Sequence, residues 1–240
     1  MSDTIHFIAD LHLADERPEV TQLFADYLSA RRDAQALYIL GDLFEFWIGD
    51  DDDAPIAQTV ADLLRAYSDA GPQLYLMHGN RDFLIGDSFV ERVGATLLDD
   101  PTVLDWESKR ILLMHGDSLC TADQEYQAFR AMSRSSEWQT QALTQTLEQR
   151  RALALQLRAA SKHAGSRKPE DIMDVTIDEA ENVLNRHHCQ HLIHGHTHRP
   201  AHHQHEAGQR WVLGDWESSA WVMELSDQQI KRKLVGSPQD

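Results

Sequence analysis

Short apolar runs that end in Asp, Asn or His recur along this chain of 240 residues, and they constrain its fold more than any other feature. The clearest example is Ala36–Asp50, in which the run Leu37–Leu40 stops at Gly41 and Asp42. A run of that length suits a buried strand, glycine permits a sharp turn, and open α/β sheets carry their chemistry at the carboxyl ends of strands. The segment therefore predicts a strand that presents Asp42 at such an end.

The same pattern occurs at four further places. These apolar runs lead into the segments Asp10–His12, His78–Asp82, His115–Asp117 and His194–His198. Because each segment follows a predicted strand, we expect loops at one edge of a sheet to bring the polar side chains together. The sequence therefore predicts a metal site assembled from loops, with Asp42 as the carboxylate that two ions share.

The order of elements before Gly94 is strand–helix–strand–helix–strand–helix, which favours a largely parallel, buried sheet. Helices are predicted over Glu19–Arg32, from an Asp53 cap through about Ala70, and over Phe83–Val93. After Gly94, short strands joined by turns predict a second sheet packed on the first; they are Ala95–Leu98, Thr102–Trp106 and Arg110–Met114.

Residues 122–164 contain neither Gly nor Pro and have a helical composition. A further helix is predicted over Ile177–His187, and three strands close the core, at His191–His194, Arg210–Leu213 and Ala220–Glu224. We therefore expect a single domain over residues 1–240, with a helical cap, residues 122–168, inserted within it.

The net charge of −17 argues against nucleic-acid binding, which needs a basic face. The two cysteines, Cys120 and Cys189, predict no disulfide framework, which is typical of a reducing compartment. The first residues have no basic segment and no long apolar stretch, so we expect no signal peptide. No run approaches the roughly 18 apolar residues of a spanning helix. These features predict a cytoplasmic protein, and no obligate protein partner is evident.

A two-ion hydrolytic site needs a bridging carboxylate and several N or O ligands for each of two cations roughly 3.5–4 Å apart. Asp10 and His12 are two residues apart on a predicted extended segment, so their side chains point the same way, and His196 and His198 share that spacing. Asn80 and His115 offer an amide oxygen and an imidazole. Because no cysteine takes part, this mixture of ligands suits Mn²⁺ better than structural zinc.

The ordered motifs resemble those of the calcineurin-like metallophosphoesterases. They are Asp10-x-His12, Gly41-Asp42, Gly79-Asn80-Arg81-Asp82, His115-Gly116 and Gly195-His196-Thr197-His198. The resemblance implies an α/β fold, a four-layer α/β/β/α sandwich. It also implies two Mn²⁺ ions, one held by Asp10, His12, Asp42 and His198 and the other by Asp42, Asn80, His115 and His196.

Longer stretches resemble, more narrowly, the bacterial UDP-2,3-diacylglucosamine pyrophosphohydrolases of lipid A biosynthesis. They are ADLHL, LYILGDLFEFWIGDDD, LMHGNRDFLIG, LLMHGDSLCTAD, IMDV, LIHGHTHRPA and VLGDW. The resemblance implies hydrolysis of UDP-2,3-diacylglucosamine at the phosphorus nearer uridine, giving UMP and 2,3-diacylglucosamine 1-phosphate. It implies substrate contacts at Asn80, Arg81, Asp123, Ser161, Gly165, Lys168 and His196, and a peripheral place on the cytoplasmic side of the inner membrane.

The resemblance, together with the chemistry of the side chains, implies catalytic roles for four residues. Asp42 would bridge the ions, Asn80 and His196 would serve both metal and phosphate, and Arg81, next to Asn80, would give a bidentate phosphate contact. Water activated by the two ions would then attack the diphosphate.

The predicted cap contains basic residues and an apolar face that suit this substrate. Between Gln149 and Pro169 there is no acidic residue but there are six basic ones, Arg150, Arg151, Arg158, Lys162, Arg167 and Lys168, which suit a diphosphate or anionic headgroups. An apolar face at roughly helical spacing suits acyl chains; it consists of Tyr126, Phe129, Trp138, Leu143, Leu147, Leu153 and Leu157. The alternative is that the leucines pack the cap on the core and the basic residues are solvated.

Two other functions remain open. A phosphoesterase that acts on nucleotides or phosphoproteins would keep the metal ligands without needing the cap, and a non-enzymatic scaffold would have lost ligands, none of which is missing here. Three further features have less specific interpretations. We expect the acidic turn Asp50–Asp53 to be solvated, Asp215 to form hydrogen bonds rather than bind metal, and His202, His203 and His205 to lie on a surface hairpin.

Overall fold

Two mixed β-sheets form the centre of the protein. The computed structural model describes residues 3–165, 167–169, 172–227 and 229–236. Four strands of the first sheet, β1 to β4, run parallel to one another; they are Ile5–Ile8, Ala36–Leu40, Gln73–Met77 and Ala95–Leu98. Two antiparallel strands, β10 (Ala220–Ser226) and β11 (Gln229–Val235), extend it on the β1 side.

The second sheet has the order β5-β6-β7-β9-β8. Its strands are β5 (Thr102–Trp106), β6 (Lys109–Leu113), β7 (His191–His194), β8 (Ala201–Gln204) and β9 (Gln209–Val212). Strands β6, β7 and β9 are parallel to one another, and β5 and β8 are antiparallel edges. The hairpin β8–β9 carries His202 and His203 on its first strand, as predicted.

Helices connect the parallel strands of the first sheet. They are α1 (Pro18–Ala30), α2 (Pro55–Asp69) and α3 (Asp87–Val93). Proline begins α1 and α2 because its fixed φ suits the first turn and its missing N–H has no helical partner. The buried face of α1 consists of Val20, Phe24, Tyr27 and Leu28.

Three apolar clusters give the fold its layers. One lies between the first sheet and helices α1 to α3, and it includes Phe24, Leu64 and Phe89. The second lies between the two sheets and includes Phe7 and Leu113. The third packs the outer face of the second sheet on α7 (Ile177–His187) through residues such as Leu184. These layers confirm the predicted α/β/β/α sandwich.

Three α-helices precede α7 in the segment between β6 and β7, as the composition of residues 122–164 predicts. They are α4 (Gln124–Ser133), α5 (Ser136–Leu143) and α6 (Leu147–Gly165). The side chains of Asp123 and Ser135 cap α4 and α5 by accepting hydrogen bonds from the backbone N–H groups of Tyr126 and Trp138. Within the described part of the chain, no helix is long and apolar enough to cross a membrane.

Three local predictions are wrong. Ala95–Leu98 belongs to the first sheet, because Gly94 ends α3 in the left-handed conformation and the chain returns parallel to β3. Asp53 does not cap α2; Ala54 occupies that position and has no side chain that could accept a hydrogen bond. The absence of a predicted strand at β11 is also wrong, because the Lys and Arg side chains of β11 hide the strand pattern although they are typical of an exposed edge.

Candidate metal centre and substrate cavity

The predicted metal ligands lie together at one edge of the two sheets. In the first sheet, Asp10 and His12 follow β1, Asp42 follows β2 and Asn80 follows β3. In the second sheet, His115 follows β6, and His196 and His198 follow β7. Because these strands are parallel within each sheet, their carboxyl ends point to the same edge. The topology of the fold thus brings all seven residues together.

One group of donor atoms surrounds Asp10. Single ligand atoms of Asp10, His12 and His198 lie within 4.8 Å of one another. The Nε2 atoms of the two histidines are 3.1 Å apart, and His198 Nε2 is 3.6 Å from Asp10 Oδ1. This group contains three of the four residues predicted for the first ion, and Asp42 Oδ2 lies 3.8 Å from His12 Nδ1.

A second group lies on the other side of Asp42. Ligand atoms of Asp10, Asp42 and His115 lie within 4.8 Å of one another, and His115 Nε2 is 3.9 Å from Asp42 Oδ1. Asn80 Oδ1 lies 2.9 Å from His115 Nε2 and 2.8 Å from His196 Nδ1. One carboxylate oxygen of Asp42 faces each group, whereas Asp10 is the residue that both groups contain.

Unusual backbone conformations present these side chains. Eight non-glycine residues in the described part of the chain have positive φ, and five of them are predicted ligands, namely Asp10, His12, Asp42, His196 and His198. Such conformations are unfavourable for residues with a Cβ and persist where surrounding contacts fix them, often at functional sites. The sequence gives no sign of this feature.

Hydrogen bonds between the loops hold these conformations. The backbone N–H groups of Asp10 and His12 donate to the carbonyl oxygens of Gly41 and Asp42, at 3.1 and 3.0 Å. Asp82, a buried residue to which the sequence analysis assigns no role, accepts from the backbone N–H groups of Gly79 and Leu43, both at 2.7 Å. Asp82 therefore positions the loops that carry Asp42 and Asn80.

Glycines allow these loops to approach closely. A Cβ atom on Gly79 would collide with the side-chain Oδ1 and the backbone N of Asp42. A Cβ on Gly195 would lie 2.6 Å from the Cβ of Ala9 and would collide with Asp10 Oδ2. The glycines beside the ligand residues are thus required by contact between loops.

The arrangement of donor atoms fits bound cations. The Asp10 Oδ1 and His12 Nδ1 atoms are buried, and neither has a hydrogen-bond partner among the described residues. Burial raises the pKa of Asp42 to about 7, with a further rise from Asp82 and Asp10, although His115 and Arg81 oppose it. A positive charge between these oxygen and nitrogen atoms would satisfy the lone pairs and favour the ionised carboxylates.

Two histidines are held in the tautomer that a metal ligand needs. A backbone carbonyl can only accept, so His115 Nδ1 donates its proton to Leu40 O, at 2.9 Å, and Nε2 faces the site. Similarly, His198 Nδ1 lies 3.5 Å from Asp215 Oδ2 while its Nε2 faces Asp10. Asp215 therefore supports a histidine, which agrees with the prediction that it forms hydrogen bonds.

A cavity of about 550 Å³ opens from this centre towards the helices α4, α5 and α6. Its lining includes the polar residues Asp42, Asn80, Arg81, His196 and His198. It also includes apolar side chains, among them Phe46, Phe83, Leu84, Phe129, Trp138, Leu153 and Leu157. The cavity thus joins a cluster of metal-type ligands to a large apolar surface.

Comparison with known proteins agrees with this geometry. A family model described as calcineurin-like phosphoesterase matches residues 4–200. The proteins called UDP-2,3-diacylglucosamine hydrolase from Cellvibrio japonicus and Chromobacterium violaceum are 50% and 52% identical to this chain. The alignments cover 92% and 88% of this chain and 94% and 90% of those proteins. The chain belongs to the UDP-2,3-diacylglucosamine hydrolase family of calcineurin-like phosphoesterases.

A solved structure of an archaeal phosphodiesterase has the same fold as this chain. Its TM-score is 0.50 at 10% identity, over 97% of this chain and 99% of that one. At this identity the likeness supports the fold and nothing finer. The family model and the curated relatives confirm the resemblance inferred from the motifs, and the solved structure supports the predicted fold.

Most residues predicted to contact substrate line the cavity. They are Asn80, Arg81, Asp123, Ser161, Lys168 and His196. Gly165 is the last residue of α6, and its neighbour Ala164 lines the cavity. Lys168 Nζ donates to Asp123 Oδ1 at 2.6 Å, so these two residues form a pair at the cavity wall.

The predicted apolar face and basic cluster of the cap each divide into two parts. Leu153 and Leu157 line the cavity, but Leu143 is 44% exposed. Among the basic residues, Arg150, Arg158 and Lys168 line the cavity. Arg150 and Arg151 also form ion pairs with the acidic turn, through Asp51, Asp52 and Asp53. The prediction that this turn is merely solvated is therefore wrong, because three of its carboxylates bind α6.

Tyr126 and Glu45 make contacts near the centre that their sequence positions do not indicate. The ring of Tyr126 stacks on His196 with the centroids 5.8 Å apart, and its hydroxyl donates to Asp117 Oδ2 at 2.6 Å. Glu45 accepts hydrogen bonds from both Arg81 and Arg158. These contacts connect the cap helices to the metal centre, and only the three-dimensional structure reveals them.

Proposed function

We propose that this chain hydrolyses the diphosphate bond of UDP-2,3-diacylglucosamine, in a metal-dependent reaction that gives UMP and 2,3-diacylglucosamine 1-phosphate. The observation that carries the proposal is a cavity whose lining contains both metal-type ligands and many apolar side chains. The names of its relatives supply the substrate. The reaction would serve lipid A biosynthesis.

Two Mn²⁺ ions are the proposed cofactors. Asp10, His12, Asp42 and His198 would hold one, and Asp42, Asn80, His115 and His196 the other. When bound, such ions activate a water for attack and neutralise charge on the phosphoryl oxygens. The donors are carboxylates, an amide and imidazoles without thiolates, which supports manganese over structural zinc.

Arg81 is the proposed phosphate-binding residue of the centre. Its Nε lies 3.4 Å from Asp42 Oδ2, and Glu45 accepts from its Nη1, so the guanidinium is held against the shared carboxylate. Since a guanidinium has five N–H donors in a planar fork, other donors remain for phosphate oxygens. Arg81 thereby orients the diphosphate and stabilises charge that develops during attack.

Asn80 and His196 lie where they can contact both the metal centre and the substrate. Asn80 Oδ1 faces the ring nitrogens of His115 and His196, and both Asn80 and His196 line the cavity. Tyr126, stacked on His196, restricts the rotation of that ring. The proposed catalytic set is therefore Asp42, Asn80, Arg81 and His196.

The lipid half of the substrate would occupy the apolar end of the cavity. Residues 122–168 would act as the cap, in which Phe129, Trp138, Leu153 and Leu157 contact the acyl chains. The sugar would meet the polar residues between the two ends, for which the candidates are Asp123, Ser161, Gly165 and Lys168. Burial of the acyl chains would then supply binding energy in proportion to the apolar area that they lose to water.

The cap would also place the protein on the cytoplasmic surface of the inner membrane. Met132, Leu143 and Leu155 on α4, α5 and α6 are large apolar residues with 50%, 44% and 59% exposure. Apolar side chains of this kind, next to basic residues such as Lys162, favour peripheral contact with anionic lipid.

The proposed function is tested by incubating the purified chain and Mn²⁺ with UDP-2,3-diacylglucosamine, with simple nucleotides and with a phosphopeptide. We expect UMP and the lipid phosphate from the first, at a kcat/KM at least roughly 100-fold above those for the others. Equal or faster hydrolysis of a nucleotide or the phosphopeptide would contradict the proposal and favour the other phosphoesterase.

A further inference from the structure

A second cavity, of about 400 Å³, lies beside the metal centre. It is lined by Glu45, Arg81, Arg158, Ala159, Ser161 and Lys162. Ala159, Ser161 and Lys162 are exposed, so the cavity opens to solvent along one side of α6. Its lining contains three basic residues, one acidic residue and no aromatic side chain.

The two cavities share part of one wall. Arg81, Arg158 and Ser161 line both of them, so a ligand that crosses this wall would have one end in each cavity. The first cavity has an apolar lining beyond the wall, whereas the second is polar and basic. Arg81 at the junction lies 3.4 Å from Asp42, which places the junction at the metal centre.

Glu45 organises the positive charge at this junction. Its carboxylate accepts from Nη1 of Arg81 and from Nε of Arg158, the latter at 2.8 Å. The remaining N–H groups of both guanidiniums are donors for a second anion. Lys162 adds a third cation, and no carboxylate in the described part of the chain lies within ion-pair distance of it.

We propose that the second cavity binds the nucleoside monophosphate half of the substrate, with its phosphate at Arg81 and Arg158 and near Lys162. The inference rests on the proposed function, because a diphosphate that joins a lipid sugar to a nucleoside has one apolar and one polar end. The acyl chains belong in the apolar cavity, so the uridine belongs on the other side of the shared wall. A cavity open to solvent also allows the hydrophilic product to leave.

The test compares how the two products, UMP and 2,3-diacylglucosamine 1-phosphate, inhibit the full-length Mn²⁺ enzyme and its variants. In Lys162→Ala, we expect the inhibition constant of UMP to rise roughly threefold to tenfold, as for loss of one charge-assisted phosphate contact. The constant for the lipid product should stay unchanged. Lys231→Ala is the matched control, because it removes the same charge from the distant edge strand β11.

A third variant tests the other cavity. Leu153→Ala shortens a side chain in the wall of the apolar cavity, so it should weaken inhibition by the lipid product and leave that by UMP unchanged. The cavity assignment would be overturned if Lys162→Ala hydrolysed the substrate normally and its inhibition constant for UMP were unchanged. It would also be overturned if the inhibition constants of UMP and of the lipid product rose equally in this variant. Absence of hydrolysis by the wild type would instead refute the proposed function itself.

Discussion

The Arg150 side chain connects helix α6 to the loop after β2 through hydrogen bonds. Substitution of Arg150 tests whether these hydrogen bonds hold the cap in place. The side chain is 5% exposed. Its Nη1 donates to the carbonyl of Ile48 at 2.6 Å and to Asp51 Oδ1 at 2.7 Å, and its Nη2 donates to Asp51 Oδ2 at 2.5 Å. Its Nε donates to the carbonyl of Gln145 at 3.1 Å.

Arg150→Ala is expected to lower the free energy of unfolding by roughly 2–4 kcal/mol. Two charge-assisted bonds to backbone carbonyls are lost, each worth about 1.5–3 kcal/mol at most. The ion pair with Asp51 adds little, because that side chain is 63% exposed and screened by solvent. Because Arg150 lies close in sequence to Leu153 and Leu157, the KM for the diacyl substrate should also rise.

The assay is urea denaturation of wild type and variants at one fixed Mn²⁺ concentration, followed by tryptophan fluorescence. Arg151→Ala is the matched control: it is the next residue of the same helix and pairs with the same loop, but its side chain is 36% exposed. We expect a large shift of the midpoint for Arg150→Ala and little for Arg151→Ala. Equal midpoints for the two variants would refute the view that Arg150 anchors the cap.

Three other changes test separate parts of the structure. Gly79→Ala should reduce turnover at least roughly 100-fold, because the new Cβ would displace Asp42; normal turnover would show that the loops need not touch. Leu157→Asp should raise the KM for the diacyl substrate at least about tenfold by placing a charge in the apolar cavity. Ala152→Asp, at an exposed position of the same helix, should leave that KM unchanged, and equal KM values for the two variants would contradict binding of the acyl chains in this cavity. Burial lowers the pKa of His6 to about 4, so the unfolded state binds more protons than the folded state between pH 6.5 and 4. Lowering the pH from 7 to 5 should therefore reduce the free energy of unfolding by about 2 kcal/mol more in wild type than in His6→Gln, and equal losses in urea titrations would contradict this.

The grouping of the candidate metal ligands and most of the fold could be predicted because their determinants are local. Each predicted ligand follows an apolar run that is long enough only for a strand, and parallel strands bring their carboxyl ends to one edge. The helix Ile177–His187 and the strand His191–His194 have the predicted bounds for the same reason, since their patterns are regular and their ends are marked.

Features that depend on pairing between distant segments could not be predicted. The turn Asp50–Asp53 appears solvated in sequence because the arginines that bind it lie about a hundred positions later, on α6. Strand β4 has the composition of a hairpin strand, and only the turn at Gly94 decides which sheet it joins. The positive φ angles at Asp10 and Asp42 likewise arise from contacts between loops, which no local pattern encodes.

The most direct measurement is anomalous diffraction from a crystal grown with Mn²⁺ and collected at the manganese edge. If one aspartate is shared by two caged cations, the map will contain two peaks, each within bonding distance of an Asp42 oxygen, and a crystal of Asp42→Ala will lose at least one of them. A single peak, or two peaks of which neither contacts Asp42, would contradict the account.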